Sequence, residues 1–236
     1  MHKLLLIVFG LFLFGCKEQE QKIETPKKEI TKTETPKKEI TKTETPKTDK
    51  PVTLNRVVVD FTDIREHFSL YPNSKIPQGN TVYVCSAYGC NKVSRYTFKS
   101  SELENIKEYF VNVTNAKEER LALANAISFI EVIVGESTGT KKDRPSLDIS
   151  GNGDPSQLDC VDEATNVTSY LIMMNNNNML RFHNINKPNW KGGLLKWTHY
   201  AAVITDKETN IKWAIDAGIG RNGDKPLIKE YSKWYE

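Results

Sequence analysis

Cys160, His199 and Asp216 are of residue types that suit thiol chemistry, and they follow one another in that order along the chain. Cys160 stands where a loop rich in glycine and proline gives way to apolar residues at helical spacing. Asp159 or Ser156 is a suitable N-cap for that helix. A cysteine in a first helical turn lies beside unpaired backbone N–H groups and the positive end of the helix dipole, which favour a thiolate. The sequence therefore predicts a nucleophilic cysteine, if another element supplies its base.

That base is expected on a hairpin near the C-terminus, built from strand candidates at 197–205 and 211–217. A turn of four residues after Asp206 makes His199 and Asp216 diagonal neighbours on one face, and a turn of two places them directly opposite. A turn of odd length separates them. A carboxylate beside a histidine fixes its tautomer and stabilises its cation, so the histidine can draw the proton from a thiol. Both even-length turns therefore predict a histidine–carboxylate pair.

Each of these residues also has a purely structural interpretation. A lone cysteine usually packs in a core, a strand histidine usually packs or binds a partner, and an aspartate before Ala-Gly suits a turn. His183 is a second candidate for the base, and we interpret it as a structural or rim histidine. The chain order, the helix start and the shared hairpin face together favour a catalytic set of Cys160, His199 and Asp216.

The first fifteen residues have the composition of an export signal. Lys3 is followed by an apolar run over 4–14, which is short for a membrane span. The run ends in Leu-Phe-Gly-Cys16, which resembles the lipobox of bacterial lipoproteins and implies cleavage before Cys16 and a lipid on that cysteine. An ordinary N-terminal membrane anchor is the alternative. Lys17 stands where an inner-membrane retention aspartate would be, which favours the outer membrane, with the protein facing the periplasm.

Residues 16–51 carry a polar Lys/Glu/Thr/Pro repeat, seen at 24–33 and again at 34–43. Such a segment cannot bury enough apolar surface to offset its ordering entropy, so it predicts a disordered tether. The remaining residues, 52–236, suffice for one domain with a core. The net charge of +3 is too small to suggest nucleic-acid binding, and export argues against it as well.

Cys85 and Cys90 bracket four residues between two strand candidates, 81–84 and 93–98. A loop of that length can bring the two thiols together across a hairpin, so an exported protein is expected to form a disulfide there. A metal pair is the alternative, but this spacing without a nearby histidine is a weak metal signature. If the two cysteines pair, Cys160 is the unpaired thiol of the domain.

Further elements must hold this site. The pattern predicts strands at 56–61, where an edge segment is the alternative, and at 179–185. It predicts three helices: one at 61–70, one that starts at a capping box at Ser101, and one at 116–134 that stops at Gly135. It also predicts a long loop at 135–156, a loop at 186–193 and a tail at 225–235 that packs back onto the domain. The long loop is expected to line the approach to Cys160.

Cys160 at a helix start, the run Trp-Thr-His199-Tyr-Ala-Ala-Val and the run Trp-Ala-Ile-Asp216 resemble the transglutaminase-like cysteine peptidase superfamily, a relative of papain. The resemblance covers roughly 155–220. The segments Cys85–Cys90, Gly135–Gly139 and Leu158–Leu171 together are also similar to uncharacterised bacterial proteins of that superfamily. The resemblance implies an α+β fold, in which a helix bearing the cysteine packs on an antiparallel sheet bearing the histidine and the aspartate.

The resemblance also implies acyl transfer through a thioester on Cys160, with His199 as base and then acid and Asp216 orienting it. The backbone N–H of Cys160, and the side chain of Gln157, are candidate oxyanion donors. Three functions remain open: a cell-envelope peptidase or amidase that cleaves peptide or peptidoglycan cross-links, an acyltransferase that uses an amine instead of water, and a non-catalytic binding module. The membrane is the expected partner, through the lipid on Cys16. No metal or cofactor is implied, and the oligomeric state is not indicated.

Overall fold

The computed structural model describes residues 57, 59, 61–145, 149–193 and 196–236. All of them belong to the compact unit Pro51–Glu236. The predicted signal segment 1–15, the lipidated Cys16 and the tether 16–51 lie outside the described residues.

The described part of the chain contains four α-helices and six β-strands. In chain order these are α1 (Phe61–Ser69), β1 (Thr81–Ser86), β2 (Lys92–Thr97), α2 (Ser100–Glu108), α3 (Ala116–Thr138), α4 (Cys160–Asn176), β3 (His183–Gly193), β4 (Lys196–Asp206), β5 (Lys212–Asp216) and β6 (Leu227–Glu230).

The strands form two antiparallel sheets. One is the hairpin β1–β2, and the other has four strands in the order β3-β4-β5-β6. Between β4 and β5 the register pairs Thr205 with Lys212 and Ala202 with Ile215. The fold is therefore α+β with antiparallel sheets, and the predicted fold class is confirmed.

Helix α4 lies at the centre of this arrangement. It packs against β3, β4 and β5 on one side and against β1 on another. Val167, Leu171 and Met174 are fully buried, and so are polar residues such as Thr165 and Thr168. Because the helix is buried nearly all round, its position is set from several directions at once. Its first residue, Cys160, is held correspondingly firmly.

Helix α3 runs past the predicted stop at Gly135 and ends at Thr138, with Gly139 as its C-cap at a φ of 91°. Gly135 serves a different purpose. A Cβ there would lie 2.6 Å from Oδ1 of Asn222, so the glycine leaves room for the Asn222 side chain against the helix. Among the described residues, α3 alone is long and apolar enough to cross a membrane, but its buried stripe belongs to the domain core.

Three further boundaries differ from the prediction. Strand β3 spans His183–Gly193 instead of ending at 185. Pro188 has no N–H to donate, but β3 is an edge strand and its register shifts between Asn186 and Asn189, so the strand continues past the proline. The N-cap of helix α2 is Lys99, two residues before the predicted cap Ser101. The backbone N–H of Lys99 donates to the Glu102 carboxylate. In the segment predicted as a first strand, Val59 forms an isolated bridge with Ile185.

Candidate active site

Cys160 is the first residue of α4, and Asp159 is its N-cap. Oδ1 of Asp159 accepts from the N–H of Asp162 at 2.9 Å, and the Asp162 carboxylate accepts from the N–H of Asp159 at 3.3 Å. Ser156, the other predicted cap, instead donates to Asp154. The capping box leaves Cys160 in the first turn, where backbone N–H groups lack intrahelical partners. Its side chain is a free thiol of intermediate exposure.

The Cys85–Cys90 loop holds this helix start in place. The two cysteines are disulfide-bonded, with their Cα atoms 4.5 Å apart. The N–H groups of Tyr88 and Cys90 donate to the Asp162 carboxylate at 2.8 and 2.6 Å. The N–H of Gly89 donates to Asp159 at 3.1 Å. The loop thus presents successive backbone donors to the two carboxylates that cap α4.

This presentation needs an uncommon backbone. Ala87, Tyr88, Gly89 and Cys90 all have φ between 56° and 68°, which is the left-handed region that residues with a Cβ seldom adopt. Such strain persists where surrounding contacts over-determine the conformation. Here the disulfide and the two carboxylates supply those contacts.

His199 and Asp216 face each other across β4 and β5. His199 Nε2 lies 2.8 Å from Asp216 Oδ2. The register is that of the four-residue turn, since the N–H of Asp206 donates to the carbonyl of Ile211. The two side chains are therefore diagonal neighbours, one of the two arrangements that the sequence predicts.

The environment of His199 favours its charged form. Burial lowers the pKa of His199, but hydrogen bonds to Asp216 and Cys160, together with their negative charges, outweigh burial and raise it to about 9. Because Nε2 is taken by Asp216, Nδ1 is the ring nitrogen left for Cys160. The structure thus joins His199 to Asp216 by a hydrogen bond and places Cys160 beside His199 on the wall of one cavity.

The C-terminal segment covers the back of the His199–Asp216 pair. Trp234 is 1% exposed, and its Nε1 donates to Asp216 Oδ2 at 2.9 Å. The rings of Trp234 and Tyr235 lie 5.5 and 5.2 Å from the imidazole of His199. The other carboxylate oxygen, Oδ1 of Asp216, is buried without a hydrogen-bond partner among the described residues. The packed rings exclude water from the His199–Asp216 contact and so strengthen it.

The thiol opens into a cavity of about 510 Å³, which we call the thiol cavity. Both Cys160 and His199 line it. Its rim carries two exposed apolar side chains, Trp197 at 71% and Ile219 at 49%. The remaining lining residues are Asp143, Leu158, Asp159, Thr198, Gly218 and Tyr235. A cavity of this volume admits a segment of a peptide-sized substrate to the sulfur.

Carboxyl groups lie behind and beside the cavity. Asp143 accepts from the N–H of Leu158 at 2.7 Å. Burial raises the pKa of Asp143 to about 6, although backbone N–H groups and the Arg144 charge favour its anion. Burial also raises the pKa of Glu163 well above its usual range, and the charges of neighbouring carboxylates, Glu131 first, add to that effect. Both effects favour the neutral form of Glu163 beside the His199–Asp216 pair.

The structure does not support the predicted oxyanion role of the Gln157 side chain. Its Oε1 accepts from the N–H of Arg144 at 3.2 Å, and its Nε2 donates to the carbonyls of Lys142 and Ser156. Gln157 does not line the thiol cavity. Its amide instead holds the 142–144 segment against the residues that precede Cys160.

His183 is the structural histidine that the sequence suggests. It is fully buried, with Nδ1 2.8 Å from Glu119 Oε1 and Nε2 3.0 Å from Nη1 of Arg120. The same Glu119 carboxylate accepts from the N–H groups of Arg181 and Phe182. Both ring nitrogens are thus occupied, and His183 has no access to Cys160.

Within the part of the chain that the structure describes, one group of side chains has the geometry to hold a metal ion, namely Cys85, Cys90 and Asp162. The two sulfurs are joined to each other, and the carboxylate accepts backbone N–H groups. Oxidised sulfur is not the thiolate ligand that zinc requires, so these residues do not fit a metal in this form.

Sequence reasoning missed three residues that shape the site: Trp234, Asp143 and Asp162. Trp234 lies in the tail that is predicted to pack back onto the domain, but no sequence pattern indicates that its indole contacts Asp216. Asp143 lies in the segment predicted as a loop. Asp162 has the residue type and position of an ordinary first-turn acid, although it is fully buried. Its burial depends on a loop more than seventy residues away in sequence.

No family model, no curated protein and no solved structure matches this chain.

Proposed function

We propose that this protein is a thiol hydrolase that cleaves peptide or amide bonds through a thioester on Cys160. The observation that carries the proposal is the set Cys160, His199 and Asp216, in which His199 is hydrogen-bonded to Asp216 and lines the thiol cavity together with Cys160. A thiol, an imidazole and a buried carboxylate in that order are the minimal set for nucleophilic acyl transfer.

In the proposed reaction, the sulfur of Cys160 attacks the substrate carbonyl carbon and the imidazolium of His199 donates its proton to the leaving amine. The C–N bond breaks and a thioester forms. The neutral imidazole then takes a proton from water, whose oxygen attacks the thioester and releases the acid and the thiolate. Asp216 holds the ring and stabilises its cation in each charged state.

The helix start supplies the stabilisation of the tetrahedral intermediate. The backbone N–H of Cys160 is a first-turn donor at the positive end of α4, where it stabilises negative charge that develops next to the sulfur in the proposed reaction. The loop 87–90 holds the capping carboxylates of this helix by hydrogen bonds. The N–H groups of the first helical turn are therefore already in position and do not have to reorganise during the reaction.

The proposal extends to fold family and location. A cysteine-bearing helix packed on an antiparallel sheet that carries histidine and aspartate supports a papain- or transglutaminase-like core. The lipobox resemblance at Cys16 and the disulfide Cys85–Cys90 support an exported lipoprotein on the periplasmic face of the outer membrane. Peptides or peptidoglycan cross-links are the substrates available there.

The test is alkylation of the full chain by iodoacetamide at about pH 5.5, where an ordinary thiol of pKa about 8.5 is roughly 0.1% ionised. Peptide mass mapping follows the rate at Cys160. We expect a rate well above that of a free model thiol, and loss of that excess in His199→Ala. A Cys160 that reacts no faster than the model thiol contradicts the proposal.

A further inference from the structure

A second cleft, carrying four cationic side chains, adjoins the thiol cavity. Its volume is about 570 Å³, and we call it the basic cleft. It is lined by Lys141, Lys142, Asp143, Arg144, Pro145, Arg221 and Asn222. All four cations are exposed. This concentration of positive charge differs from the rest of the site, whose other ionisable groups are mostly carboxyls.

The two clefts share walls. Asp143 lines both of them. The connection from β5 to β6 also contributes to both, with Gly218 and Ile219 in the thiol cavity and Arg221 in the basic cleft. A substrate that occupies the thiol cavity and extends along this connection therefore reaches the cationic side chains.

The cationic side chains stand on segments with fixed backbones. Gln157 anchors the segment of Lys142, because its Nε2 donates to the Lys142 carbonyl at 3.1 Å. The turn of Arg221 is closed by Asp224, whose carboxylate accepts from the Arg221 N–H at 2.8 Å. Ser128 of α3 donates to the carbonyl of Gly223 in the same turn. Both cations are thus presented from positions tied to the core.

The charge balance of the basic cleft is positive. Lys141 forms an ion pair with Glu136 at 2.8 Å, and the Arg144 charge acts on Asp143 and Asp154. Lys142 and Arg221 form no ion pair with any residue that the structure describes. Arginine and lysine together are well suited to bind a carboxylate or another oxyanion.

We propose that the basic cleft binds an anionic group of the substrate, a carboxylate carried by the peptide chain a few residues from the bond that Cys160 attacks. This inference rests on the proposed function of Cys160 and adds the substrate class, an acidic peptide. The carboxylate belongs either to a side chain or to a chain end, and the experiment separates the two.

The test uses bromoacetyl peptides, which alkylate Cys160 irreversibly without requiring turnover. A bromoacetyl-Gly-Gly-Asp amide is compared with its Asn counterpart, and a bromoacetyl tripeptide of glycine with a free chain end is compared with its amide. Intact-protein mass spectrometry measures each alkylation rate of Cys160 in the full chain. Lengthening the glycine spacer by one residue at a time adds about 3.5 Å per step and finds the best span.

We expect the Asp probe, or the probe with a free chain end, to react about fivefold faster than its neutral partner, the range of a partly exposed charge pair. The preference should fall in Lys142→Gln and in Arg221→Gln, disappear in the double variant, and weaken in about 0.5 M salt. Lys107→Gln on α2, which lines neither cleft, should keep it. His199 is present in every variant, so its charge cannot account for a difference among them.

Equal rates for charged and neutral probes on a reactive Cys160 overturn this inference and leave the proposed thiol chemistry standing. A preference that survives in the double variant also overturns it. A Cys160 that reacts with no probe faster than a free thiol overturns the proposed function, and this inference with it.

Discussion

Trp234 donates its indole N–H to Oδ2 of Asp216, the same oxygen that lies 2.8 Å from His199 Nε2. One carboxylate oxygen therefore serves two donors, while Oδ1 has no partner among the described residues. The indole competes with the imidazole for the charge on that oxygen. Trp234 thus acts on the carboxylate that holds His199, the proposed base.

Trp234→Phe tests this relationship, because it removes the N–H donor and keeps an aromatic ring. Without the donor, Asp216 interacts more strongly with His199, so we expect the pKa of His199 to rise further above about 9. The measurement is the NMR titration of the His199 ring, with Tyr235→Phe as the matched aromatic control. An unchanged titration in Trp234→Phe would show that the indole is only packing.

Asp216→Asn removes the negative charge and keeps the side-chain shape. Burial then dominates over the remaining hydrogen bond to Cys160, so the pKa of His199 should fall toward or below its ordinary 6.5. Alkylation of Cys160 at about pH 5.5 should slow by at least about tenfold, since a thiolate is no longer paired with a firmly charged imidazole. The pH profile of alkylation is the measurement. A profile equal to that of the unmodified protein would remove Asp216 from the proposed set.

His199 should also make stability depend on pH. Its pKa is about 9 when folded and 6.5 when unfolded, so its contribution is fully present below about pH 6.5 and lost as pH rises through 9. Because His199 is only partly buried and solvent screens its charge, this contribution is on the order of 1–2 kcal/mol. Urea unfolding at several pH values, taken as the difference between the natural chain and His199→Gln, isolates this contribution. A difference that does not decline between pH 6.5 and 9 contradicts the shifted pKa.

Reduction of the Cys85–Cys90 disulfide should affect Cys160, although neither cysteine lines the thiol cavity. The bridge spans a short loop, so its loss is expected to cost about 2 kcal/mol of stability. It should also loosen the backbone donors that hold Asp159 and Asp162, and so slow alkylation of Cys160. The comparison is Cys85→Ser/Cys90→Ser against the oxidised chain. Mass spectrometry under non-reducing conditions first establishes the bridge. An unchanged Cys160 rate would show that the loop does not position the helix.

His183→Gln separates the two candidate bases. His183 is buried between Glu119 and Arg120, so its loss should lower the free energy of unfolding by about 3 kcal/mol, the range for breaking a buried paired group. Alkylation of Cys160 in the folded variant should be unchanged, because both ring nitrogens of His183 point at other partners. Slow alkylation in a variant that still folds would make His183 part of the chemistry.

The sequence by itself determines the parts of this protein that depend on neighbours along the chain. Local periodicity and capping predict the helix start at Cys160, with Asp159 or Ser156 as its cap, and they put His199 and Asp216 on one hairpin face if the turn has even length. The structure selects Asp159 and the four-residue turn. Even the pairing of Cys85 with Cys90 follows from a short loop. These features need no knowledge of the rest of the fold.

Only the tertiary structure decides what surrounds these residues. The indole on Asp216, the backbone donors on Asp162 and the acceptance of the Leu158 N–H by Asp143 join segments 15 to 74 residues apart. The residues next to an aspartate in the sequence do not reveal whether its carboxylate is buried or exposed, so these contacts cannot be predicted locally. The role of Gly135 is likewise decided by a distant residue. Its residue type suggests the end of a helix, but α3 continues past it and its missing side chain leaves room for Asn222. Burial and the partners that compensate it are set by packing between distant segments, and they fix the charge state of the histidine on which the proposed chemistry depends.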